Sequence, residues 1–245
     1  MDQQRPPLVL VHGLVANSGS WRFNVPAFSA HFKVYAPDLP LVPIAEAARW
    51  LADWLDAQGI ARCHLVGVSA GGGAVLTLAA AHPHRVDRMV LAAPVHPFWK
   101  PPRLRIWFAA SAGGELLFRL MQPFRRPLTQ FVLKHRLYAA PKLVTSETVD
   151  LYAKPFSRPS LGAELRGFFS RLELPAIPAE WPHPTLLVWG DHDRQVSVKS
   201  APALAAALKA RLDVIPGGSH MLFEERAAEF NERVLKFLLD TSLLE

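Results

Sequence analysis

The feature that most restricts how this 245-residue chain can fold is the junction near residue 69, where an apolar run meets a glycine–serine turn and then an alanine-rich stretch. Leu65 to Val68 has strand length. Gly67-Val68-Ser69-Ala70-Gly71 fits G-x-S-x-G, Gly72 and Gly73 follow, and Ala70 to Ala81 reads as a buried helix. A strand turning this sharply into a helix needs small neighbours, because the two elements approach closely. The turn lifts the Ser69 hydroxyl out of a sheet. It also aims the Ala70 N–H and the helix N-terminus at a developing negative charge. A phosphate-binding loop does not fit, since the lysine and its glycine spacing are missing. The other reading is a glycine-rich helix start with a capping serine.

The rest of the chain repeats the strand-then-helix pattern. Strand-like runs occur at Leu8 to Val11, Lys33 to Ala36, Met89 to Leu91, Thr185 to Trp189 and Leu212 to Ile215. Ser18 to His31 can hold a helix. Ile44 to Gln58 is a stronger one, with Ile44, Ala47, Ala48, Leu51, Trp54 and Leu55 on one face and Gly59 as a stop. Leu222 to Leu239 closes the chain as an amphipathic helix bearing Phe223, Ala227, Phe230, Val234 and Phe237 on one side. This alternation predicts an α/β fold: a mostly parallel sheet of about six strands with helices on both faces. It breaks between Pro94 and Pro184, a stretch rich in Pro, Arg and aromatics. The predicted organisation is a core formed by residues 1–94 and 184–245 and an inserted helical cap over 95–183.

A serine hydroxyl becomes a useful nucleophile only beside a base. Of ten histidines, His220 in Gly217-Gly218-Ser219-His220 stands just past the last strand, on a loop that can carry an imidazole to the top of the sheet. A carboxylate should follow another strand, and Leu186 to Gly190 ends at Asp191-His192-Asp193. Either aspartate can orient the His220 ring, and spacing alone does not choose. The chain order is Ser, Asp, His. After the first strand, Val11-His12-Gly13-Leu14 lets backbone approach a substrate carbonyl. The Leu14 N–H is the expected second oxyanion donor beside that of Ala70, and His12 reads as a loop-supporting residue.

Taken together, Leu8 to Gly13, Ala36-Pro37-Asp38-Leu39-Pro40, Gly67 to Gly72, Trp189 to Asp193 and Gly217 to His220 with Glu224-Glu225 make the sequence resemble the α/β-hydrolase superfamily. The resemblance implies that the acid is the third residue after the glycine of the Trp-Gly segment, Asp193. It also implies no metal and no organic cofactor. Ser69 speaks against the epoxide hydrolase and haloalkane dehalogenase branches, which would carry Asp there. Three departures stand out. The chain begins almost at the His-Gly strand, which predicts a sheet shortened to about six strands. Asp38-Leu39-Pro40 passes through Leu41-Val42-Pro43 straight into a helix, without the usual Gly-His-Gly-x-Ser loop, which predicts a more open pocket. Gly-Ser-His replaces the commoner Gly-His.

The expected function is a serine hydrolase, a carboxylesterase acting on small to medium apolar esters through an acyl-enzyme. The alternatives are a C–C bond hydrolase, thioesterase or perhydrolase on the same triad, or a non-catalytic ligand-binding protein. The formal charge of +6 is unevenly spread: Phe98 to Arg171 holds thirteen Lys/Arg against four Asp/Glu. Arg103, Arg105, Arg119, Arg125, Arg126, Arg136 and Arg166 offer positive charge. Phe98, Trp99, Trp107, Phe108, Phe118, Phe124, Phe131, Phe168 and Phe169 offer apolar surface. That combination suits an ester bearing a carboxylate, or contact with an anionic membrane surface. No nucleic-acid motif accompanies the charge. The single Cys63 reads as a small core residue. Without a disulfide, a secretory leader pattern or an apolar run of membrane-spanning length, the chain is expected to be cytoplasmic.

Overall fold

The structure, a computed structural model, describes residues 5–240; the first four residues, part of the segment inspected for a leader, lie outside them. The strands are β1 (Pro7–Val11), β2 (Lys33–Tyr35), β3 (Cys63–Val68), β4 (Val86–Ala92), β5 (Thr185–Gly190) and β6 (Arg211–Ile215). The principal helices are α1 (Val25–Ser29), α2 (Ile44–Ala57), α3 (Ser69–Ala81), α4 (Arg103–Ala109), α5 (Ala112–Met121), α6 (Arg125–Val132), α7 (Ser146–Ala153), α8 (Leu161–Ser170), α9 (Ala201–Leu208), α10 (Leu222–Glu225) and α11 (Ala227–Leu239). The strands form one six-stranded sheet in the order β2-β1-β3-β4-β5-β6, and every neighbouring pair is parallel.

Period-two alternation divides the sheet's side chains between two cores. Leu8, Leu10, Val66, Val68, Val90, Ala92, Leu186 and Val188 meet Phe28 of α1 and Phe230, Val234 and Phe237 of α11. Val9, Val11, Leu65, Leu91, Leu187 and Trp189 meet Leu51 and Leu55 of α2, Val75 and Leu78 of α3, and Leu204 of α9. Both faces are therefore dry, as a parallel sheet requires. Each fully buried side chain of this size contributes about 2 kcal/mol by leaving water.

Two stretches depart from the sequence reading. Ser18 to His31 is a 3-10 turn (Ser18–Trp21) followed by α1, not one helix. Buried Asn24 lies between them and donates to Phe223 O (2.9 Å) and Asn231 Oδ1 (2.7 Å), while Pro26 opens the new helix. The closing helix is split at Arg226, whose backbone leaves the helical region (φ −123°, ψ 35°) as its guanidinium donates to Pro216 O at 3.0 Å. An amphipathic pattern continues across such a break because it reports which side is buried, not whether the ladder is continuous.

The chain winds from β1 outward to β2, then returns to the other side of β1 for β3. A crevice opens at such a reversal, beyond the carboxyl ends of the strands. Helices α4 to α8 all fall between β4 and β5. Among the described residues no helix is long and apolar enough to cross a membrane.

Candidate active site

Ser69 follows β3 directly with φ 54°, a left-handed conformation that costs a non-glycine residue roughly 1–2 kcal/mol. Packing holds it there. The Ser69 carbonyl accepts from Val95 N–H at 2.8 Å. A Cβ on Gly71 would collide with the carbonyls of Val11 and His12, and one on Gly67 would sit 2.8 Å from Gly72 Cα. Only glycine lets α3 lie this close to β1 and β3. The β1 loop reaches over the turn: a Cβ on Gly13 would stand 3.2 Å from Ser69 Cβ. Leu14 and Ala70 flank Ser69 on the wall of a common cavity. Ala70 lies in the first turn of α3, so its N–H has no acceptor within the helix.

Asp193 and His220 come from different loops and meet with Oδ2 and Nδ1 2.7 Å apart. The second oxygen of Asp193 accepts from the N–H groups of Gln195 (2.7 Å) and Val196 (2.9 Å). Both carboxylate oxygens are thus occupied. With Nδ1–H donating to Asp193, Nε2 is the nitrogen left to act as base. His220 lines the same cavity as Ser69. Among the described hydrogen bonds none joins the two side chains; such contacts commonly tighten only when substrate binds.

Of the two aspartates, it is Asp193 that bonds to the ring. Asp191 has no bond to the ring among the described hydrogen bonds and accepts from Gly217 N–H at 2.7 Å, while His192 N–H donates to Gly218 O at 2.9 Å. Asp191 therefore braces the loop that carries the histidine. Glu225 adds a second brace by accepting from Ser219 N–H at 2.6 Å and from Ala139 N–H at 3.0 Å. Glu224 is buried and accepts from the hydroxyls of Tyr138 (2.8 Å) and Tyr152, with Arg22 Nη2 2.8 Å away. Burial pushes the Glu224 carboxyl up, opposed by Arg22 and the two phenols. Both tyrosines are pushed up by burial and by Glu224. The Glu-Glu pair after the histidine was visible in the sequence, but apart from Ser219 its partners lie more than seventy residues away.

His12 is a support. Its Nε2 accepts from Leu39 N–H at 2.8 Å and its Nδ1 lies 2.9 Å from Gly13 O, which fixes the neutral Nδ1–H tautomer. Burial lowers its pKa, consistent with that state.

The cavity holds about 1170 Å³ and is mainly apolar. Of the aromatic side chains singled out above, Phe98, Trp99, Phe118, Phe168 and Phe169 line it, whereas Trp107, Phe108, Phe124 and Phe131 are exposed elsewhere. Of the arginines singled out above, only Arg105 and Arg125 reach the wall, which Arg194 also lines. Arg119 and Arg166 pair with Glu115, and Arg126 with Asp150. A second pocket of about 400 Å³ adjoins Gly13 and Leu14, bounded by Asp38 to Val42 where the Gly-His-Gly-x-Ser loop is missing. Among the described residues no cluster of His, Cys, Asp or Glu converges as a metal cage.

The profile of the α/β hydrolase fold matches residues 6–227. The chain belongs to the α/β-hydrolase family. Among curated relatives of this α/β hydrolase is the dihydrolipoyllysine-residue acetyltransferase component of the acetoin cleaving system of Pseudomonas putida. It is 30% identical over 95% of this chain, and the chain spans 63% of that protein's length. Carboxylesterase YbfK of Bacillus subtilis is 26% identical, with 95% of this chain and 80% of the relative covered. Among solved structures, the meta-cleavage product hydrolase of Pseudomonas fluorescens IP01 superposes with a TM-score of 0.76 at 23% identity, covering 96% of this chain and 91% of the other; it shares the fold.

Proposed function

We propose that this α/β hydrolase is a carboxylesterase that cleaves apolar esters through an acyl-enzyme on Ser69. The observation that carries the reading is the 2.7 Å bond from His220 Nδ1 to Asp193, which commits the other ring nitrogen to the cavity where the strained Ser69 hydroxyl sits. Oγ of Ser69 attacks the ester carbonyl as Nε2 of His220 takes its proton. Asp193 holds the ring and offsets the imidazolium charge. The N–H groups of Leu14 and Ala70 receive the oxyanion, each worth about 3 kcal/mol in such sites. The imidazolium returns the proton to the leaving alkoxide. Water, activated by the same nitrogen, then releases the carboxylic acid and regenerates Ser69.

The apolar wall supports acyl or alcohol groups of small to medium size. The carboxylesterase among its relatives supports an ester substrate. A series of p-nitrophenyl esters tests this, with Ser69→Ala as control and a fluorophosphonate probe for the serine. Turnover that depends on Ser69 is expected. A wild-type protein that neither hydrolyses any ester nor takes the probe at Ser69 overturns the reading. Faster turnover of a dienoic ketone than of every ester reassigns the site to carbon–carbon cleavage.

A further inference from the structure

Helices α4 and α5 pack against each other and against α8. One side of each closes the cavity: Ile106 and Ala109 on α4, Phe118 and Met121 on α5. Their other sides are apolar too. Leu104 is 77% exposed, Trp107 69%, Leu116 56% and Leu120 64%, and Phe124 just beyond α5 is 63% exposed. Large apolar side chains on a helix normally have apolar neighbours. Here the outer sides have none among the described residues, and they lie one helix thickness from the cavity.

The charge of the segment that carries this surface indicates what covers it. The segment from Phe98 to Arg171 has thirteen basic and four acidic side chains. Three of those acids are spent within the segment: Glu115 on Arg119 and Arg166, Asp150 on Arg126, and Glu164 on Arg158. Arg103 precedes Leu104 and is exposed, with no ion pair among the described residues; Arg105, exposed and likewise without one, stands at the edge of the face where it meets the cavity. A second copy of this chain would set like charges face to face. An anionic lipid surface supplies both an apolar layer for the leucines and Trp107 and negative headgroups for the arginines.

We infer that the outer sides of α4 and α5 dock on anionic phospholipid bilayers, so that the cavity beneath receives lipophilic substrate from the membrane. The inference does not require Ser69 chemistry. Docking uses the exposed sides, and hydrolysis uses the opposite ones.

Co-sedimentation of the full chain with phosphatidylcholine vesicles, with and without 30 mol % phosphatidylglycerol as an experimental choice of about one anionic lipid in three, tests it. Binding at least about tenfold tighter to the anionic vesicles, and weakened by salt, is expected. Trp107→Ser with Leu120→Ser should lose that binding, again by roughly tenfold or more, while hydrolysis of a water-soluble ester is unchanged. Arg103→Glu should weaken binding by about tenfold, and Ser69→Ala should bind like wild type. Absence of vesicle binding, equal binding to neutral and anionic vesicles, or binding kept by the Trp107/Leu120 variant overturns the inference. So does a wild-type dimer in sedimentation equilibrium that the same variant converts to monomer, since a second copy would then cover the face. Failed ester hydrolysis with intact vesicle binding sinks the carboxylesterase reading alone.

Discussion

Gly190, at the end of β5, lies directly against the carbonyl of Gly218, so that a Cβ at residue 190 would collide with that oxygen and with the carbonyl of Ser219. This contact joins the turn that carries Asp193 to the loop that carries His220. Two further bonds close the joint, Gly217 N–H to Asp191 and His192 N–H to Gly218 O. The 2.7 Å His220–Asp193 bond is therefore set by backbone packing on both sides, not by the two side chains alone.

Gly190→Ala should push the loops apart. Overpacking of this kind costs about 1–3 kcal/mol, seen as a lower urea midpoint. Because the displaced loop carries His220, the proposed base, kcat on a p-nitrophenyl ester should fall by more than about tenfold, beyond what the folded fraction accounts for. Unchanged kcat in the folded variant would show that the joint does not position His220.

The two neighbouring aspartates should behave differently. Asp193→Asn leaves His220 without its carboxylate, and kcat is expected to drop by about 10³–10⁴. Asp191→Asn weakens one exposed bond to Gly217 N–H and should cost less than about tenfold. Steady-state kinetics of the two variants on one ester decides it, and equal losses would contradict the assignment.

Glu224 is nearly inaccessible and bound to Arg22, Tyr138 and Tyr152. Glu224→Leu leaves a partly buried guanidinium without its counter-charge, though still bonded to Thr148 Oγ1, and takes the acceptor from two phenols. A loss of about 3 kcal/mol in urea unfolding is expected. Arg22→Met in the same background should recover part of it. If Glu224→Leu alone is neutral, the network does not stabilise the fold.

Stability should fall in acid because of buried imidazoles. Burial depresses His96 to about 4, and His12, His64 and His183 are lowered for the same reason. Below the ordinary histidine value of about 6.5 the unfolded chain takes protons that the folded one refuses. The stabilisation is complete above about pH 6.5 and is lost as pH falls towards 4. His96 alone accounts for at most about 3 kcal/mol of it. His96→Gln, which can retain the bond to Ser200 Oγ, should flatten the dependence of the urea midpoint between pH 7 and pH 5. An identical slope in wild type and variant would exclude His96 as a source.

Cys63 lies in β3 with its thiol pushed up to about 12 by burial. Iodoacetamide should leave it unmodified in buffer at pH 8 and alkylate it in 6–8 M urea, a range chosen as about what unfolds small domains. Rapid alkylation of the native protein would show that β3 opens.

What could be read from the sequence was what local chemistry dictates. Short continuous apolar runs place the strands, the 3.6-residue period places α2 and the face of α11, and the glycines about Ser69 require the sharp turn, because each depends only on neighbours along the chain. The α/β architecture followed from their alternation. Tertiary structure decided what depends on partners distant in sequence. Asp191 and Asp193 share one turn and one residue type, so spacing did not separate them; the family resemblance favoured Asp193, and the position of the His220 loop makes Asp193 the ring's partner and Asp191 the loop's brace. Buried Asn24 and displaced Arg226 interrupt helices for bonds to Asn231 and Pro216, which no local pattern announces. Which arginines and aromatics of residues 98–171 face the cavity was likewise undetermined until α4, α5 and α8 packed together, since the cavity is lined by side chains from several helices whose relative placement no local pattern gives.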